Sequence, residues 1–199
     1  MKPKLRCQSC AVVTACPVGI YNAERQILSE LQPVTRFARH TIIYREGSDT
    51  QDLFIVCSGS IKLVAHVRHR NRIAAIVGPG ECFGIESLIS GSKRQFTAIT
   101  REASMLTHID NTTINQEPEL LAGRSITKYL ALALTDAQRK IVLYSGDTAR
   151  NRIAGVLAIF HSKQMALKNV EIAALLGISA ETVSREIRQL HPGTAGMIN

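Results

Sequence analysis

From about residue 34 to residue 110 the chain is cut into short apolar runs by glycine turns, and that pattern restricts the region to a many-stranded β architecture. The runs are Thr41–Tyr44, Leu53–Cys57, Ser60–Ala65, Ile73–Val77 and Phe96–Thr100. Glu46-Gly47, Ser58-Gly59, Pro79-Gly80 and Ser90-Gly91 punctuate them. Strands of this length at this spacing predict an all-β roll. The pattern changes on both sides. Upstream, residues 22–32 read as a brief helix opened by Asn22 and closed before Pro33. Downstream, residues 119–144 lack proline and carry one glycine, Gly123. Ile126, Leu130, Ala133, Ala137, Lys140 and Tyr144 recur there at alternating four- and three-residue steps. That is the period of a coiled-coil seam, so a dimerisation helix is expected. The plainer alternative is an amphipathic helix packed on its own barrel. The seam is poor in large apolar residues and contains a lysine, which makes for a weak dimer. Ser145-Gly146-Asp147 reads as a hinge, and a further helix over about 148–163 follows.

The last third carries a helix-turn-helix pattern. Asn169 is placed to cap a helix over Val170–Leu176, and Gly177 ends it with a turn that requires positive φ. Ser179 caps a second helix over Ala180–Leu190. The small Ala173 lets the two helices approach, and Ile172, Leu176, Val183 and Ile187 suit a shared core. On the second helix Glu181, Ser184 and Arg185 stand at i, i+3 and i+4 and share one face. Arginine can bond guanine in bidentate fashion, glutamate can accept from cytosine N4, and serine can do either. Each alone is an ordinary solvated residue; together, after a glycine turn, they predict a DNA-reading helix.

Charge supports that assignment. The 199-residue chain carries a formal +8. Residues 1–119 hold 14 basic against 11 acidic side chains, and residues 120–199 hold 10 against 5. The basic excess therefore leans toward the helix-turn-helix, as an acidic partner such as double-stranded DNA requires. No run of 18 apolar residues exists, and no apolar stretch follows the basic start, so neither a membrane span nor a signal peptide is expected. A cytoplasmic location follows. Thiols there stay reduced, so five cysteines argue for metal binding or redox sensing over disulfides. Three of them, Cys7, Cys10 and Cys16, stand as C-x2-C-x5-C, close enough to wrap one soft metal centre. Three thiolates and one further ligand suit tetrahedral zinc as well. An enzyme is not expected. The pair His66 and His69 lies in a basic loop with no matching carboxylate at ligand spacing, and no nucleophile has a base beside it.

These residues together resemble the CRP/FNR family of bacterial transcription regulators over nearly the whole chain. Asp52–Leu63 and Gly78–Glu86 look like the family's roll signatures, and Ala180-Glu181-Thr-Val-Ser184-Arg185 looks like an FNR-type recognition helix. The resemblance implies an α+β fold. It comprises an N-terminal β-roll (cyclic-nucleotide-binding-like, a double-stranded β-helix), a long dimerisation helix and a C-terminal helix-turn-helix. The segments would be a cysteine-rich sensor at 1–20, the roll at 21–118, the dimerisation helix at 119–145 and the DNA-binding domain at 146–199. It further implies a homodimer that binds TTGA-type inverted repeats and works with RNA polymerase. Cys7, Cys10 and Cys16 would be three ligands of an oxygen-labile 4Fe–4S cluster whose assembly favours the DNA-binding dimer.

The chain departs from the family pattern at three places. The fourth FNR cysteine is missing from Ala103–Asp110, leaving Cys82 or Cys57 as the candidates, with His108 or a nearby aspartate as others. Cys57 and Cys82 also read as inert buried strand residues. Only nine residues follow Leu190, too few for the family's C-terminal β-hairpin wing. The cyclic-nucleotide cradle is poorly matched, since Ile85 follows Gly84 and only Arg94 remains of the phosphate-binding set. The alternatives to the cluster sensor are therefore a zinc-bound or thiol-switch regulator and, less favoured, a cyclic-nucleotide-responsive one.

Overall fold

The computed structural model describes residues 4–6, 16, 31–68, 70–110 and 124–190. Ten strands come first: β1 (Lys4–Arg6), β2 (Leu31–Pro33), β3 (Thr35–Phe37), β4 (Ile42–Tyr44), β5 (Leu53–Ser58), β6 (Ile61–Val67), β7 (Arg70–Val77), β8 (Cys82–Phe83), β9 (Thr97–Thr100) and β10 (Ser104–Ile109). One short helix, α1 (Ile85–Ser90), interrupts them. Four longer helices follow: α2 (Arg124–Tyr144), α3 (Ala149–Ser162), α4 (Asn169–Leu176) and α5 (Ala180–Leu190). The residues fall into two units. One takes the chain as far as His66 together with Ala74–Ala131; the other takes Val67–Ile73 and everything from Leu132 onward.

The first unit is the roll. Two four-stranded sheets, ordered β3-β10-β5-β8 and β4-β9-β6-β7, face each other, and β1 pairs with β2 apart from them. Side chains from both sheets make the interior: Tyr44, Val56, Ile61, Leu63, Val77, Phe83, Ala98 and Leu106. The unbroken apolar run Leu53–Val56 has its explanation here, because β5 is covered on both faces. Phe54 and Val56 point between the sheets, while Leu53 and Ile55 join a second cluster with Ile109, Leu88 and Cys16. Gly59 adopts φ 80°, and a Cβ there would stand 2.8 Å from the Ser104 Cα, so the turn into β6 tolerates only glycine.

The five expected strands all form. The expected helix at 22–32 fails at its described end, where Leu31–Pro33 pairs as a strand with Lys4–Arg6. The remainder of that helix lies outside the described residues. Five further features were not foreseen: β1, β3, β8, β10 and α1.

The second unit is helical. Gly155 of α3 passes so close to the last turn of α2 that a Cβ would meet the Leu143 carbonyl oxygen at 2.9 Å. Asp136 of α2 pairs with Lys140 at 2.6 Å and with Lys163, beyond the end of α3, at 3.5 Å. Of the residues expected in the seam, Ala133 and Ala137 are exposed and Leu130, Lys140 and Tyr144 are half-buried. The large apolar residues of α2 left open are Leu132, Leu134, Ile141 and Val142, each at least 60 % exposed. Among the described residues no helix is long and apolar enough to cross a membrane.

Candidate functional site

The thiol site begins with β8. It is two residues long and alternates like any strand, so Phe83 enters the interior while Cys82 faces the opposite side. There Cys82 packs against the cluster of Leu53, Ile55, Leu88 and Ile109 that also holds Cys16. Cys16 and Cys82 are thus brought together in one apolar pocket, from positions 66 residues apart. Cys57, on β5, takes no part in that cluster. Cys7 and Cys10 lie outside the described residues, as does the segment after Leu190 where the shortened wing was expected. His108 is exposed on β10, with its ring 6.1 Å from that of Phe54 between centroids.

Cys82 has one further neighbour. Its backbone N–H donates to the Tyr129 hydroxyl at 2.7 Å. That hydroxyl also lies 3.4 Å from the Cys82 carbonyl oxygen. Burial pushes the Cys82 thiol up to about 12, with Tyr129 pulling the other way. Nothing in the sequence marked Tyr129, since a tyrosine near the start of a long helix is unremarkable until β8 is known to lie against it.

A 4Fe–4S cluster needs soft, closely spaced sulfur donors within a shielded pocket. Cys16 beside Cys82 fits that requirement as far as the described residues reach. Among those residues no group of three metal-binding side chains occurs.

Inside the roll Arg94 is 1 % exposed. Its Nη1 donates to the Gly84 carbonyl at 2.7 Å, Nη2 to the Asp52 carbonyl at 2.5 Å, and Nε to the Thr50 hydroxyl at 3.2 Å. The guanidinium also sits 4.2 Å above the Tyr44 ring, itself packed on Phe54 and Phe83. Burial raises the Tyr44 phenol, and its hydroxyl finds no partner among the described residues. Three of the five guanidinium N–H donors are therefore engaged within the chain, two by carbonyls and one by a hydroxyl.

The helix-turn-helix forms largely as its sequence predicts. Gly177 adopts φ 71°. The Ser179 hydroxyl accepts from the Thr182 N–H at 3.0 Å and so caps α5. Ile172 and Val183 are fully buried between the helices, with Ile187 beside them and Leu176 half-buried. The start of α4 differs. Lys168 takes the cap position, its N–H donating to the Glu171 carboxylate at 3.0 Å, and Asn169 lies one residue inside the helix. The glutamate at the third helical position satisfies the orphan donor, so asparagine is not needed for it. Glu181 and Arg185 are exposed and Ser184 is half-exposed, all on the first turns of α5. Arg185 Nε approaches Glu186 at 3.4 Å, a loose surface contact that leaves the guanidinium open. Glu186 also takes Arg150 of α3 at 3.3 Å, which holds α5 against α3.

Comparison with known proteins places this fold. Residues 34–117 match the family model described as cyclic nucleotide-binding domain. The cyclic AMP receptor protein of Thermus thermophilus is 32 % identical over 156 residues, covering 74 % of this chain and 72 % of that protein. The chain belongs to the CRP/FNR family. Other CRP/FNR relatives include the nitrogen fixation regulation protein FixK of Azorhizobium caulinodans, 24 % identical over 83 % of this chain and 71 % of its own. The solved structure of FixK2 from Bradyrhizobium japonicum superposes with a TM-score of 0.70 at 22 % identity, over 84 % of this chain and 90 % of that one. The CRP/FNR assignment makes the chain a transcription regulator, in keeping with its reading as a protein that is not an enzyme.

Proposed function

We propose that this regulator senses oxygen or redox state through a 4Fe–4S cluster held by Cys7, Cys10, Cys16 and Cys82, and binds TTGA-type inverted repeats as a cytoplasmic homodimer. The observation that supports this is the meeting of Cys16 with Cys82 on the outer face of β5, which favours Cys82 over Cys57 as the fourth ligand. A bound cluster would supply a centre that oxygen can oxidise. The chain's own part is to place two thiols in an apolar pocket and to present Glu181, Ser184 and Arg185 on an exposed helical face. Two copies of α2 would pair along the heptad stripe that includes the exposed Ala133 and Ala137. RNA polymerase is the partner that family membership suggests.

The decisive measurement is iron and sulfide content after anaerobic purification, with binding to a TTGA repeat followed before and after air. Brown protein that bleaches and releases DNA supports the proposal. Colourless protein without iron defeats it, and zinc in place of iron converts it to the zinc-bound alternative. Cyclic-nucleotide control is disfavoured by the engagement of Arg94 with Gly84 and Asp52. A melting temperature raised by cyclic AMP would reinstate it.

A further inference from the structure

We propose that the tip of the hairpin formed by β6 and β7 is a second DNA-contacting element, with Arg68 and Arg70 taking backbone phosphates beside the groove that α5 enters and Arg72 fixing them there. The inference deepens the reading of the helix-turn-helix as a DNA-binding site and rests on it. β6 and β7 are neighbours in their sheet and are joined through residues 68–69. The tip, Val67–Ile73, belongs to the helical unit. Its seat is at Gly177, the turn between α4 and α5. A Cβ at Gly177 would stand 2.9 Å from the Arg72 guanidinium carbon and closer still to Nη1. Arg72 is half-buried there. A cation suits the place, because the unpaired carbonyls at the end of α4 carry partial negative charge.

The chemistry of the tip points to phosphate. No acidic residue occurs from Leu53 to Gly80, so nothing within the hairpin offsets its cations. Glu46 meets the hairpin at its base, where the carboxylate accepts from the His66 N–H at 3.2 Å. Arg68 and Arg70 are exposed, and among the described residues neither takes part in an ion pair. Arg68 also holds φ 47°, a left-handed conformation that glycine or asparagine adopts more easily, so the turn carries arginine at a cost in backbone strain. Arg70 and Arg72 lie on one face of β7, about 7 Å apart along the strand. A helix-turn-helix directs the N-terminal end of its second helix to the bases, with phosphates flanking it. The Gly177 turn leads into that end, so the cations next to Arg72 stand where the DNA backbone passes. A merely solvated basic loop would leave Arg72 as open as its neighbours.

The test is the salt dependence of binding, measured on full-length, anaerobically purified protein with a duplex carrying a TTGA inverted repeat and with a scrambled duplex. Each phosphate contact contributes about 0.9 to the slope of log affinity against log salt. Arg68→Ala combined with Arg70→Ala should flatten that slope by about 2 for each protomer on the DNA, equally on both duplexes, because phosphate contacts carry no sequence information. Arg72→Ala alone should flatten it similarly, since the tip loses its seat. Arg36→Ala combined with Arg45→Ala removes the same charge from exposed positions of the roll unit and should leave the slope as it is.

An unchanged slope in the Arg68 and Arg70 double variant overturns the inference and leaves those cations to a protein partner or to solvent. An equal fall in the Arg36 and Arg45 control overturns it as well, since net charge alone would then be responsible. Tighter binding after Arg72→Ala would overturn it by showing that the hairpin masks the turn. If Arg185→Ala narrows the gap between the two duplexes while the hairpin variants do nothing, the recognition helix stands and the hairpin inference falls. If the wild type shows no preference between the duplexes and the hairpin variants still flatten the slope, the TTGA reading falls and the hairpin inference stands. Should Arg72→Ala fold poorly, the double variant, whose two side chains are exposed, decides alone.

Discussion

The roll keeps its chemically distinctive side chains inside, and the helical unit keeps its own outside. Arg94 and Cys16 are buried, and Cys82 is partly buried against the cluster of Leu53, Ile55, Leu88 and Ile109. Glu181 and Arg185 stand on an open helical face over a core made only of apolar residues. The difference teaches where function can be separated from folding. A buried polar group has its hydrogen bonds built into the structure, so removing it unsettles the fold before any signal is lost. An exposed one on a rigid helix is free to be changed, and only the partner feels it.

Arg94→Ala tests the first half of that contrast most severely. It strips the Gly84 and Asp52 carbonyls of a charged donor and leaves a void under Tyr44, so a loss of about 3–5 kcal/mol is expected in urea unfolding of the roll. A loss under about 1 kcal/mol would mean that water reaches the site and that it is not truly enclosed. Ile172→Ala empties the centre of the helix-turn-helix and should cost about 2–4 kcal/mol in the same experiment, this time through apolar packing alone. Arg185→Ala should leave unfolding unchanged and weaken binding to a matched TTGA repeat by about 1–3 kcal/mol. An unchanged affinity in a titration at fixed salt would refute the role given to that side chain. Ser179→Ala removes the cap of α5 and should lower stability by about 1 kcal/mol, read as a fall in melting temperature.

The smallest effect concerns acid. At Asp136 burial opposes ionisation, but Lys140 and Lys163 outweigh it and hold the carboxyl below its ordinary value of 3.8. A depressed folded value means stabilisation that is present in full above the unfolded carboxylate range and is lost as pH falls through the folded value. The carboxylate is partly exposed, so screening limits its worth to a few tenths of a kcal/mol, about the usual size for such a pair. Melting curves of wild type and Asp136→Asn should therefore converge toward low pH. Parallel curves would show that the lysines do not stabilise the folded carboxylate.

How much of this was legible in the sequence follows the same contrast. The helix-turn-helix was readable because an exposed helix over an apolar core obeys a simple period, and Gly177 and Ser179 mark its turn with residue types that the local backbone requires. The strands carrying unbroken apolar runs were readable too. β10 was not, because Ser104 and Thr107 lie in its buried face and interrupt the apolar pattern. Ser104 satisfies its hydroxyl by donating to the Glu102 carbonyl at 2.9 Å, a bond that only the folded turn supplies. The seam of α2 is legible only as a stripe: heptad spacing picks it out, and within it Ala133 and Ala137 are exposed while Leu130, Lys140 and Tyr144 are half-buried. The cap of α4 fell one residue early because Glu171 does the work assigned to Asn169. The Tyr129–Cys82 contact joins residues 47 apart and has no local signature.

The division of the molecule between Ala131 and Leu132 runs through an unbroken helix. No linker marks a place where the protein can be cut in two for separate study. A fragment stopped at the division would keep roughly two turns of that rod, too few to stay helical in water without the remainder. Expression of either half must therefore carry residues 124–144 whole, and the same rod has to be counted in both halves of any energetic comparison between them.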